Sequence, residues 1–295
     1  MPVIEMTFDQ KKEKAKKEDK LKLSLEKKFS AVLWPFLKDI SRAFSAVYSD
    51  TGAIINANDF MLDLAAIIEK VYINTGRTFS ESFESDIDKQ LAESTKEDEE
   101  SERTKFLIWW KESRKEAESI INEGVAMYAV VRALQQSTLI LNTTDDVIRR
   151  SVRRIRDDAI TDGIELTNKQ ISKRARKEID KINRLRVPVI SETEVQNASM
   201  TAKQIEAEET NIASAQRQGL DEDIPESVTQ EQIKKTWVTM RDDLVRSKHK
   251  RAEGQRQLLK DPYLVGGELL MYPGDTSLGA TAGNVINCRC NSIIT

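Results

Sequence analysis

A chain of 295 residues, 39% hydrophobic and 32% charged, can bury a sizeable core but is too polar for one dense globule. Eleven glycines and six prolines are too few turn formers for an all-β fold, so long amphipathic helices with broad solvated faces are expected. The formal charge of −3 argues against a bulk nucleic-acid binder, although it hides segregation: 11–28 is lysine-rich, 81–102 acidic, and 149–186 rich in arginine and lysine. No run of eighteen apolar residues exists, so no transmembrane helix is expected. Met1-Pro2-Val3-Ile4-Glu5 lacks the basic-then-apolar layout of a signal peptide, which points to synthesis and assembly in a reducing cytoplasm. Neither a 20–50-residue repeat nor a glycine-rich phosphate loop is visible.

Residues 1–28 read as a charged N-terminal arm, helical or mobile, with Leu21, Leu23 and Leu25 its main apolar content. Phe29, Val32, Leu33, Phe36, Leu37, Ile40, Phe44 and Val47 then follow helical spacing and form a wide apolar stripe. Pro35 within it predicts a kink or a helix start. Asn58 and Asp59 can cap a helix through Leu64, Ile67, Ile68 and Val71 that ends near Gly76. Residues 77–104 read as an exposed acidic connection, and 104–136 carry the longest helical pattern, with Trp109, Trp110, Ile121 and Val125.

Asn142-Thr143-Thr144-Asp145-Asp146 has the chemistry of a new helix start, with hydroxyls to cap and carboxylates for the positive end of the dipole. The segment that follows holds Arg149, Arg150, Arg153, Arg154 and Arg156. Beyond Gly163 a second basic helix carries Lys173, Arg174, Arg176 and Lys177, until Val187-Pro188 is expected to break it. These nine cations are a candidate DNA-contact face, the simpler reading being a solvated helix surface. Residues 190–218 are helical again, polar with interspersed alanines, and Gln218-Gly219 reads as a stop. One helical domain over 29–220 follows, with a boundary near Asp221–Pro225.

Ser227 with Gln230 has the form of a capping box and predicts a helix from about Val228 to Gln257. On that helix Asp242, Arg246, His249 and Glu253 share one face, and Asp242 can pair with Arg246. His249 is read as a structural hydrogen-bonding group rather than an acid–base catalyst, since no second histidine or recognised nucleophile accompanies it. Leu269–Tyr272 and Asn284–Ile286 are short and apolar enough to be strands. Tyr272-Pro273-Gly274-Asp275 is turn chemistry. Cys288 and Cys290, two apart, share one face of a strand; Arg289 points the other way and can fork onto a carboxylate such as Asp275. With His249 the two thiols offer three zinc ligands, but the spacing is not that of a zinc knuckle, so two small buried thiols are expected and no metal, cofactor or catalytic residue. The fold class is α+β: a long, mainly helical N-terminal part, then a small α+β domain over 228–295.

Both cysteines and the single histidine fall in this one block. The ordered string Trp237-Val238-Thr239, Asp242-Asp243, Val245-Arg246, His249, Gly254, Tyr272-Pro273-Gly274-Asp275 and Asn287-Cys288-Arg289-Cys290 resembles the C-terminal domain of the phage Mu F-like minor head proteins of tailed bacteriophages. The resemblance covers about 237–292 and extends loosely to Ser191–Ala198, where this chain has Glu192 in place of the arginine usual before the threonine. It implies a minor virion protein at the portal and capsid interior, made in the host cytoplasm, that assists head morphogenesis or genome packaging and delivery without a cofactor. Its implied partners are the portal protein and the major capsid or scaffolding protein, with homo-oligomerisation through the apolar stripes. The alternatives are a DNA-contacting internal virion protein, or an enzyme or toxin injected with the genome. The family-like order also implies that Trp237, His249, Tyr272, Cys288 and Cys290 share one local core.

Overall fold

The computed structural model describes residues 6–97, 102–218, 233–240 and 242–294. Four long helices come first: α1 (Phe8–Thr51), α2 (Met61–Glu97), α3 (Glu102–Thr161) and α4 (Asn168–Gln218). A small strand-containing part follows: β1 (Lys234–Thr239), α5 (Ser247–Ala252), β2 (Arg256–Leu258), β3 (Tyr263–Val265), β4 (Glu268–Leu270), α6 (Ala282–Val285) and β5 (Cys290–Ile294). The chain is α+β, as composition and periodicity predict. No described helix is long and apolar enough to cross a membrane.

The boundaries drawn from the sequence at 28, 220 and 228 are not those of the compact units. One unit gathers 1–24, 72–127 and 193–295; the other comprises 25–71 and 128–192. In the second unit all four helices supply apolar side chains to the interior, among them Phe29, Leu33, Leu37, Ile40, Phe44, Leu64, Ile68, Ile148, Val152, Ile171 and Ile179. Here α1 and α4 run antiparallel, with Ser30 donating to Ser191 at 2.9 Å and Ser41 to Asp180 at 2.5 Å.

The first unit is built differently. Its stretch of α4 from Thr193 to Ser214 is buried on almost every face although it is largely polar. Around it the N-terminal end of α1, parts of α2 and α3, and the strands supply partners. Tyr72 donates to Glu194 at 2.6 Å, Lys203 donates to Glu18 at 2.8 Å and to the Ser292 carbonyl at 2.6 Å, and Arg114 donates to Glu206 at 2.5 Å. The lysine-rich N-terminal stretch is therefore neither mobile nor wholly solvated: from Phe8 it is helix, with Lys11, Glu18 and Lys22 buried.

The helices run through several expected ends, because the residues that signal an end are used otherwise. Thr143 and Thr144 turn their hydroxyls back to the carbonyls of Leu139 and Ile140, while Asp145 and Asp146 pair one turn ahead with Arg149 and Arg150. Cap chemistry is thus consumed inside α3. Pro188 lies inside α4 and Pro35 inside α1; the buried neighbours Val187, and Leu33 with Leu37, hold those helices together although each proline removes a backbone donor. The cap before α2 is Asn56, which accepts from the Asn58 backbone at 3.1 Å and opens a 3-10 turn over Ala57–Phe60. The acidic stretch expected as a connection is helical to Glu97, with Asp86 paired to Lys14 and Asp88 to Lys111.

The expected helix over 228–257 is replaced, where described, by β1 and the six-residue α5. Thr236, Trp237, Val238 and Thr239 are strand formers, and β1 lies between β2 and β5, antiparallel to both. The capping-box residues Ser227 and Gln230 lie outside the described residues. Asp242 then turns the chain, its carboxylate accepting from the Leu244 and Val245 backbones at 3.1 Å each. Asn284–Val285 forms part of α6 rather than a strand, and of Leu269–Tyr272 only Leu269 and Leu270 belong to β4.

Gly76 does not end a helix; it lets α2 approach α3. A methyl group there would meet Cγ1 of Val125 at 2.7 Å, and that β-branched side chain cannot easily yield. Gly76→Ala should therefore destabilise the protein by about 1 kcal/mol, overpacking at about 1–3 kcal/mol outweighing a helix gain of about 0.5–1. In a Val125→Ala background the same change should stabilise, and urea unfolding of the four chains measures the reversal of sign.

Candidate functional site

Trp237, at the middle of the central strand, organises the C-terminal core with Val245, Ala252, Tyr263, Val265, Leu270, Cys288 and Cys290. Its indole meets the His249 ring edge to face at 5.6 Å and the Tyr263 ring at 5.2 Å. Gly254 closes the chain back onto the strand by donating to the Trp237 carbonyl at 2.9 Å. In the register of β1 with β5, Thr239 lies opposite Cys290 and Trp237 opposite Ser292. Tyr263 and Ser292 share a hydroxyl hydrogen bond of 2.9 Å, and burial pushes the phenol far above its usual range.

His249, Cys288 and Cys290 are all buried, at 1%, 2% and 0% exposure, which places the only imidazole and both thiols of the sequence in one closed cluster. Nδ1 of His249 lies 3.6 Å from the Cys288 sulfur and 3.4 Å from the Cys290 sulfur. The three ligand atoms all fall within 4.8 Å of one another. Nε2 faces the Asn284 side-chain oxygen at 3.2 Å. Asn284 is held in that sense because its amide nitrogen donates to the Val265 carbonyl at 3.2 Å and to Glu268 at 2.6 Å, both acceptors only. Nε2 consequently carries the imidazole proton, and Nδ1 presents its lone pair to the sulfurs. The two thiols are unlike. The Cys290 thiol holds Cys288 well below the ordinary thiol range, against burial, while burial and the neighbouring sulfur push Cys290 up.

The other residues of the string lie around this cluster. Asp242 pairs with Arg289 at 2.7 Å, so Arg289 anchors Asp242 and not Asp275, while Arg246 donates to the Ile286 carbonyl instead of pairing with Asp242. Asp243 is exposed in the turn before α5. Asp275 ties its own loop, accepting from the Met271 backbone at 2.8 Å and the Ser277 backbone at 2.7 Å. Tyr272 stands apart from the tryptophan core: its hydroxyl accepts from Thr201 of α4 at 2.8 Å. Gly274, at φ +92°, lies against Gln196, whose amide donates to the carbonyls of Pro273 at 3.2 Å and Cys290 at 2.8 Å. Asn287 donates its backbone N–H to Thr193 at 3.2 Å.

Sequence reasoning missed Asn284, Tyr263, Gln196 and Lys22, which donates to Gln196 at 2.7 Å and Asn291 at 2.8 Å. An asparagine ahead of Val285-Ile286 was a signal for the first; the others carry none in their local sequence.

Two further polar regions lie outside this core. In the first unit Arg114 lines a cavity of about 550 Å³, held by Glu206, by Ser80 at 2.8 Å and by Glu84 at 3.5 Å. Burial raises Glu206 to about 6 in spite of Arg114. In the second unit four of the nine candidate cations are paired: Arg149, Arg150, Arg154 and Arg176 with Asp145, Asp146, Glu178 and Asp180, while Arg156 lies over the Tyr48 ring. Arg153, Lys173, Arg174 and Lys177 are exposed. No protein-family model, curated protein or solved structure matches the chain.

Lys235 gives the C-terminal sheet a pH signature. Its buried ammonium donates to the Met271 carbonyl at 2.7 Å, and burial lowers it from 10.5 to about 8. Between those values the unfolded chain keeps the proton that the folded chain releases, so stability rises with pH across the window. The gain is on the order of 2–3 kcal/mol relative to Lys235→Met, whose difference curve should be flat below about pH 8 and change between 8 and 10.5. Denaturant titrations of both chains over that range measure it.

Proposed function

We propose that this protein is a minor virion component of a tailed phage, associated with the portal vertex and capsid interior, where it assists head morphogenesis or genome packaging and delivery. The observation that carries the reading is the ordered string from Trp237 to Cys290 and its resemblance to Mu F-like head proteins. The string also has a physical reason to occur as a set. Trp237, His249, Cys288 and Cys290 pack on one another, Gly254 closes the central strand, and Asp242 with Arg289 joins the turn before α5 to the approach to β5.

A role at the portal requires a surface for another protein. Within the second unit α3 exposes Val130, Val131, Leu134 and Leu139 at 42–58%, apolar side chains at a density that suits a helix-packing contact. The portal is the partner that the reading names first, with capsid or scaffolding protein next.

Co-expressed with the portal protein of its phage, the full chain should co-purify with it and be found by mass spectrometry in assembled heads. Val131→Lys with Leu134→Glu should reduce the portal-bound fraction at least tenfold while leaving the urea midpoint nearly unchanged, because both side chains are exposed. Absence of the chain from both heads and portal complexes would overturn the assignment; presence with undiminished binding of the double variant would move the contact away from α3.

A further inference from the structure

We propose that His249 Nδ1, Cys288 Sγ and Cys290 Sγ form a zinc site, with water as the fourth ligand. The sequence spacing favours two packed thiols, because Cys-x-Cys differs from the pairs of a zinc knuckle. The fold supplies what the spacing lacks: α5 brings the histidine against the two sulfurs from another part of the chain.

The two nitrogen–sulfur distances fit a shared metal. Zinc bonds of about 2.0–2.1 Å to nitrogen and about 2.3 Å to sulfur, at tetrahedral angles, put nitrogen and sulfur about 3.5 Å apart. The two observed separations are 3.4 and 3.6 Å. Both donor types are soft or borderline, the set that suits zinc, and the site is closed by burial.

The surroundings carry the argument further than the three ligands alone. A histidine ligand generally donates its remote N–H to an oxygen, which fixes the ring and its tautomer. Here the Asn284 oxygen receives Nε2–H, and Asn284 is itself locked by Val265 and by Glu268. Glu268 in turn accepts from the Thr281 hydroxyl at 2.8 Å and its backbone at 2.9 Å. A thiol packed as a small apolar group needs no such chain of polar groups directed at the lone pair that faces it. Binding releases up to two thiol protons as the Zn–S bonds form, so affinity falls as the pH is lowered.

The site stands independently of the assignment to phage heads, and its test involves no phage component. Full-length chain purified without chelator should hold close to one zinc per chain by elemental analysis and keep it through dialysis. After the metal is stripped with a stronger chelator, Co(II) should titrate to one equivalent with thiolate-to-cobalt charge-transfer absorption and the intense visible bands of tetrahedral cobalt. Cys290→Ser should lose about half of the charge-transfer intensity and at least tenfold in affinity. Asn284→Leu, a positioning change, should keep the tetrahedral spectrum while weakening binding about 10–100-fold. Zinc at background together with no thiolate–cobalt band from folded wild-type chain would overturn the proposal, as would stoichiometric metal unaffected by Cys290→Ser. If that variant does not fold, the wild-type cobalt titration alone decides.

Discussion

The polar stretch of α4 from Thr193 to Ser214 is buried, and the first compact unit has to satisfy it. A buried polar group left without a partner costs about 1–3 kcal/mol, so a helix carrying glutamates, glutamines and a lysine into the interior forbids most arrangements of its neighbours. Lys203 shows the demand most clearly. Burial lowers its pKa even with Glu18 beside it, and its ammonium is held both by that carboxylate near the N-terminus and by the Ser292 carbonyl near the C-terminus. Gln196 takes up Lys22 on one side and donates to the backbone of Pro273 and Cys290 on the other. Segments far apart in sequence are joined through these side chains.

The same helix therefore sets the chemistry of the cysteine–histidine cluster at one remove. Gln196 holds the carbonyl of Cys290, Thr193 holds the backbone of Asn287 one residue before Cys288, and Thr201 holds Tyr272 at the start of the Tyr-Pro-Gly-Asp turn. The other wall is apolar and local: Trp237 presses on His249 from the central strand, and Asn284 fixes the ring from α6. A rigid outer frame is what a ligand set needs if its atoms are to keep their separation without strain. All three side chains of the cluster are buried.

Much of the helical architecture was legible in the sequence because apolar spacing is a local property. Phe29, Leu33, Leu37, Ile40 and Phe44 of the first stripe are buried as their spacing predicts, as are Leu64 and Ile68, whereas Val32 and Val47 of the same stripe are exposed. Helix ends were less legible. Thr143 and Thr144 have the same chemistry whether they cap a helix or bond back within one, and Pro188 is tolerated where Val187 is buried. The strand β1 was hidden by a capping-box pattern just ahead of it, although Thr-Trp-Val-Thr is strong strand composition. Burial of Lys22, Glu18 and Lys203 could not be read locally, since a lysine enters the interior only when a specific distant partner receives it. The rarity of cysteine and histidine did mark the C-terminal block, but bringing them together required the turn at Asp242, which the predicted helix had removed.

A double-mutant cycle on Glu18 and Lys203 tests most directly whether buried polar partners of α4 join the two ends of the chain. Glu18→Gln and Lys203→Met each leave one charge or its partner unanswered in the interior, whereas the double variant leaves neither. The expected result from urea unfolding is that each single change costs about 3–5 kcal/mol and the double change less than their sum by about 2 kcal/mol or more. Costs that add to within about 0.5 kcal/mol would show the two sites to be independent and would contradict the account.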